Sequence, residues 1–102
     1  MARKITEKAI EAFYNNENFK GANTTVELKE YSDDKVTVLK LFGNEIAYLH
    51  HGMVHITNAG WKTDTTKERL NGLKGVSISQ IKGKWYLNGE QWDGNLIQIK
   101  QA

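Results

Sequence analysis

The chain has 102 residues, no cysteine and no proline, a formal net charge of +2 and 39% hydrophobic residues. That length bounds it to one domain with one modest core, and the missing cysteines exclude a disulfide framework and thiolate chemistry. A pI near 8.8 falls short of the excess carried by dedicated DNA binders, so it permits contact with phosphate without arguing for it.

A first helix is expected over residues 6–16. Thr6 reads as its N-cap, Ile5 and Ile10 as a hydrophobic staple, Glu7 as the favourable first-turn acid, and Ala9, Ile10, Phe13 and Tyr14 as an apolar stripe. Asn15-Asn16-Glu17-Asn18 favours exit, and residues 15–23 read as an irregular loop. From residue 24 the period changes to two. Strands are expected over 24–31, 35–42, 45–50 and 53–57, with turns at Asp33-Asp34, Gly43-Asn44 and His51-Gly52. Such brief turns imply an antiparallel meander.

Residues 60–73 then change period again. Thr65-Thr66-Lys67-Glu68 fits a capping box, with Thr65 as N-cap and Glu68 reaching back. Leu70 and Leu73 share a face, and Asn71-Gly72 is the expected left-handed stop. This gives a short helix over about 66–71, which packing must hold, with Trp61 lying against the sheet. Strands resume over 76–99, with turns at Lys82-Gly83, Asn88-Gly89 and Asp93-Gly94; the last strand runs from Asn95 to Lys100. The expected fold is α+β: an antiparallel β meander of about seven short strands, with an N-terminal helix packed on one face and a short central helix.

Leu41-Phe42-Gly43-Asn44-Glu45-Ile46-Ala47, Asn58-Ala59-Gly60-Trp61, residues 65–73, Trp85-Tyr86-Leu87-Asn88-Gly89 and Trp92-Asp93-Gly94 follow one another in an order that resembles a family of small bacteriophage-encoded proteins. The resemblance covers roughly residues 24–94. It implies a phage origin and action in the bacterial host cytoplasm, and it brings no catalytic residue with it.

The central helix gathers the groups best suited to a ligand. Its N-terminal amides and dipole favour phosphate or carboxylate, Thr63, Thr65 and Thr66 add hydroxyls, and Lys62, Lys67 and Arg69 add charge. These threonines equally serve as caps, and the cations as solvated surface. Trp61, Trp85, Tyr86 and Trp92 can stack bases beside Lys82 and Lys84, or fill a small core. Trp85 and Tyr86, adjacent in a strand, must point to opposite faces.

His50, His51 and His55 surround one hairpin. Register can bring His50 near His55, yet three or four converging ligands are needed for a metal, so no metal site is expected. No carboxylate pair, activated serine or phosphate loop is evident, and neither a cofactor nor an enzymatic activity is expected. No apolar run approaches the ~20 residues of a membrane span, and residues 1–6 carry charge with no apolar segment behind them, so neither a membrane nor a signal peptide is expected.

The leading expectation is therefore a non-enzymatic binder of a nucleic acid or nucleotide, using Trp61, Lys62, Thr65, Thr66, Lys67, Arg69, Lys84 and Trp85. The alternative is a protein–protein inhibitor or adaptor acting on a host factor such as a defence component, with β edges available for pairing. Self-assembly into a two-fold homo-oligomer is compatible with either.

Overall fold

The computed structural model describes residues 4–32 and 34–99. Eleven elements follow in order: α1 (Lys4–Tyr14), β1 (Phe19–Lys20), β2 (Thr24–Tyr31), β3 (Asp34–Leu41), β4 (Asn44–His50), β5 (Met53–Ile56), α2 (Asp64–Asn71), β6 (Ile78–Ile81), β7 (Lys84–Leu87), β8 (Glu90–Gln91) and β9 (Ile97–Ile99). This is the α+β arrangement of antiparallel strands with an N-terminal and a short central helix. The part of the expected turn that falls on Asp33, and the strand end at Lys100, lie outside the described residues.

The meander is divided into two sheets. One has six strands in the order β1-β2-β3-β4-β5-β9, and the other three in the order β6-β7-β8. β9 returns to pair with β5, matching Val54 with Ile99 and Ile56 with Ile97. The small sheet is thus an excursion between two neighbouring strands of the large one. β1 lies in the expected loop and pairs Phe19 with Val26.

Register aligns Val26, Leu39, Ala47 and Ile56 in one row across the large sheet. Ala9 and Phe13 of α1, Leu70 of α2, and Ile78, Trp85, Leu87 and Trp92 of the small sheet region pack into the same buried cluster. One core therefore joins both helices and both sheets. A bulge sharpens it: Leu39 pairs with Ala47 but Lys40 with Glu45, leaving Ile46 unmatched. The extra residue lets Ile46 and Ala47, neighbours in the chain, both be buried.

Local chemistry explains the helix ends and corrects three expectations. α1 begins at Lys4, so Thr6 is not its cap but a buried residue of the first turn. α1 ends where Asn16 adopts φ 56° and Glu17 N donates to Ala12 O at 2.9 Å, a left-handed exit that Asn tolerates. The N-cap of α2 is Thr63, not Thr65; its Oγ1 accepts from Thr66 N at 3.1 Å. Gly72 is right-handed, φ −73°, and is required by proximity instead. A Cβ there would meet Thr6 Cγ2 at 2.9 Å and Ile10 Cγ1 at 3.0 Å, so Gly72 lets the two helices approach.

Candidate binding surface

Phe42 and Trp61 are carried on two different turns that meet beside the start of α2. Phe42-Gly43, with φ 52° and 80°, forms the tight turn between β3 and β4; Asn44, expected within that turn, is already the first residue of β4. Trp61 follows a second turn, Ala59-Gly60, with φ 53° and 85°. Buried Asn58 pins it: Asn58 Oδ1 accepts from Gly60 N at 2.8 Å, and Asn58 O accepts from Trp61 N at 2.8 Å. Leu41, Phe42, Asn44, Ile46, Trp61, Thr63 and Thr66 line a cleft of about 420 Å³. Its floor is buried Leu41, Ile46 and Thr66, while Phe42 is 68% and Trp61 55% exposed.

The remaining site residues expected from the sequence are dispersed. Arg69 is 1% exposed and faces inward. Its Nε donates to Thr24 Oγ1 at 2.9 Å, its Nη1 to Thr6 Oγ1 at 2.8 Å and its Nη2 to Asn23 Oδ1 at 3.3 Å, and it pairs with Glu68. Thr6 Oγ1 donates to Glu68 Oε1 at 2.7 Å, so Glu68 is drawn into this seam and does not close a capping box. A guanidinium expected to meet an external phosphate instead ties α1, α2 and β2 together, because burying it demands this many acceptors.

Lys67 Nζ donates to Gln80 Oε1 at 2.9 Å, lies 3.4 Å from Asp64 Oδ1 and sits 6.0 Å above the Trp85 ring. Trp85 is buried against Trp92, centroids 6.2 Å apart, and is therefore no stacking platform. Lys84 is exposed on the opposite side of β7 from Trp85. Thr66 is buried, its Oγ1 2.9 Å from Thr63 Oγ1, Thr65 is half-buried, and Lys62 and Lys82 are exposed. Of the first amides of α2, Thr66 N and Lys67 N are taken by Thr63. The open positions are Asp64 and Thr65, beside a fully solvated Asp64 carboxylate that opposes an anion.

The other face of the large sheet carries long polar side chains. Lys29 Nζ donates to Glu45 Oε2 at 2.9 Å and Tyr48 OH to Glu45 Oε1 at 2.8 Å. The bond from Lys29, then that from Tyr48, holds the Glu45 carboxyl below its ordinary range. Burial, reinforced by the bond to Glu45, pushes the Tyr48 phenol up to about 12. His50 pairs with Met53 and His55 with Tyr48, which sets His50 and His55 diagonally on one face of the β4–β5 pair, while the potential ligands that converge are Asp34, His50 and His51. The bond with His50 lowers the Asp34 carboxyl. The large sheet ends in β1 and β9, of two and three residues; such short edges offer little template for strand pairing.

A family model described as Kyanoviridae Gp96 protein matches residues 2–99. The chain belongs to this family. It is a family of phage proteins, and the phage origin implied by the sequence resemblance stands with it. No curated protein and no solved structure matches the chain. Within the described residues no helix is long and apolar enough to cross a membrane.

For this family member, sequence reasoning passed over Phe42 by placing the turn one residue late. The available signal was the repeated X-Gly pair: His51-Gly52, Lys82-Gly83 and Asn88-Gly89 all adopt the same two positive φ values. It also passed over Asp34, whose role depends on a register that local pattern does not specify.

Proposed function

We propose that the chain is a non-enzymatic phage binding protein that acts in the host cytoplasm by docking a host protein, and that the docking surface is the Phe42–Trp61 cleft. The observation that carries this reading is the pair of rings, 68% and 55% exposed, over a buried apolar floor. Large aromatics beside a pocket are the residues on which interface energy concentrates, and exposing both has no folding benefit. The distribution of the cations supports the same reading. Arg69 is sealed, Lys67 is occupied by Gln80 and Asp64, and Lys84 lies on the far side of its strand. These three cations therefore form no shared track for a polyanion to follow.

Binding of a nucleic acid or nucleotide is the second reading. It rests on Trp61 as a stacking ring with Lys62 and the Asp64 and Thr65 amides close in sequence.

The test compares capture from host lysate by the natural chain and by a Phe42→Asn/Trp61→Ser variant of equal stability. A discrete set of host proteins is expected with the natural chain, reduced at least about 10-fold by the variant. Equal capture by both would remove the cleft from the argument. Trp61 is the exposed tryptophan, Trp85 and Trp92 being buried, so fluorescence quenching reports it selectively. A saturable, salt-sensitive quench by nucleotides or single-stranded DNA would reverse the order of the two readings.

A further inference from the structure

The end of the large sheet opposite the Phe42 turn brings three potential metal ligands together. Asp34 opens β3, His50 closes β4 and His51 begins the turn into β5. The register that pairs Thr37 with Leu49 sets the start of β3 beside the end of β4. Neighbouring strand residues normally point to opposite faces. His51 escapes that rule because it adopts φ 51°, and this swings its ring back to the side of His50, with centroids 4.1 Å apart.

Both imidazoles address one carboxylate. His50 Nε2 lies 2.8 Å from Asp34 Oδ2, and His51 Nε2 lies 2.9 Å from Asp34 Oδ1. One ligand atom from each of the three residues falls within 4.8 Å of the others. Ligands held about 2.1 Å from a shared ion at near-right or tetrahedral angles sit roughly 3.0–3.4 Å apart, so the two His–Asp gaps need to open by only a few tenths of an ångström, and rotation of the exposed His51 ring adjusts the rest within the 4.8 Å already spanned.

We propose that Asp34, His50 and His51 form a binding site for a divalent first-row transition metal of the zinc class. Two imidazoles and one carboxylate suit zinc, cobalt or nickel, and disfavour magnesium and calcium, which take oxygen donors. Three protein ligands leave a coordination position for water or a ligand. His51 and Asp34 line a groove together with Tyr14, Asn15, Lys35 and Lys74, and the His51 side chain is 65% exposed, so solvent reaches the cluster. His55, opposite Tyr48, lies outside the cluster and serves as an internal control. The proposal is independent of the Phe42–Trp61 cleft.

The test titrates chelator-treated full-length chain with Zn²⁺, and with Co²⁺ to read the visible ligand-field bands. One ion per chain is expected, with a Kd at or below about 10 μM. His50→Gln, His51→Asn and Asp34→Asn are each expected to weaken binding by at least about 10-fold, whereas His55→Gln leaves it unchanged. His51→Asn keeps a residue that accepts positive φ, so the turn survives, and circular dichroism checks all four. Failure of the natural chain to bind Zn²⁺ at about 1 mM overturns the proposal. So does folded His50→Gln and His51→Asn protein that binds like the natural chain. Mg²⁺ bound as tightly as Zn²⁺ would likewise overturn the metal class.

Discussion

The seam between the two helices and the cleft beside the β3–β4 turn draw on the same short stretch of chain, yet one is sealed and the other open. Arg69 is surrounded by Thr6, Thr24, Asn23 and Glu68 from three parts of the sequence. Trp61, eight residues earlier, has an apolar floor beneath it and solvent above. A charge enters a protein interior only where enough polar partners converge to replace its water. A ring needs no such partners, and no element among the described residues covers this one. The comparison teaches that residue type marks neither region: partners supplied from far along the chain decide which is structure and which is surface.

Breaking the seam has the largest expected effect. Arg69→Leu removes the donor from which Thr6, Thr24 and Asn23 accept, and is expected to cost about 3–5 kcal/mol in urea denaturation. A loss under about 1 kcal/mol would mean that the network contributes little and that the contrast with the cleft is false. The cap comes next. Thr63→Ala is expected to cost about 1 kcal/mol, and Thr65→Ala no more than about 0.5 kcal/mol; the reverse ranking would return the cap to residue 65.

The cleft should respond in the opposite sense. Phe42→Asn installs an Asn-Gly pair at the φ values of 52° and 80° that this turn adopts. Stability is expected to stay level or rise by up to about 1 kcal/mol, while host-protein capture falls. Destabilisation by more than about 1 kcal/mol would make Phe42 a structural residue and dissolve the distinction between the two regions.

The open sheet face sharpens the comparison through smaller, pH-dependent effects. The Glu45 carboxyl is lowered in the folded chain, so its contribution is present above the ordinary carboxylate range and is lost as pH falls through the lowered value. The Tyr48 phenol is raised from 10.0 to about 12, so its contribution is complete below pH 10 and is lost as pH rises toward 12. Denaturation curves against pH should slope at both ends. Tyr48→Phe should flatten the alkaline slope in part, since burial also raises Tyr14. An unchanged alkaline slope in that variant would place the effect elsewhere.

Much of the fold was legible because its signals are local. Alternation marked β2 to β5, Gly-containing pairs marked the turns, and the spacing of Ala9 and Phe13 marked the buried face of α1. The candidate site was less legible because each of its uncertainties was a competition. Thr65 reads as the cap because Glu68 completes its box, but Glu68 bonds to Thr6 and Arg69 instead and Thr63 takes the cap. Gly43-Asn44 reads as the turn, but the pairing of Leu41 with Asn44 shifts it to Phe42-Gly43. Trp85 and Tyr86 had to part, and the packing of Trp85 on Trp92 under Lys67 decided which ring went inside.

By itself the sequence determined the class of the fold, the positions of both helices and most of the strands, because backbone preference and hydrophobic period act over a few neighbouring residues. Only the tertiary structure decided that β9 returns to β5, that Arg69 is interior and Phe42 exterior, and that Asp34 joins two adjacent histidines. Those outcomes depend on register and on contacts spanning up to 63 residues of chain. No local stretch encodes them, since each is won by whichever distant group arrives to desolvate or neutralise the side chain in question.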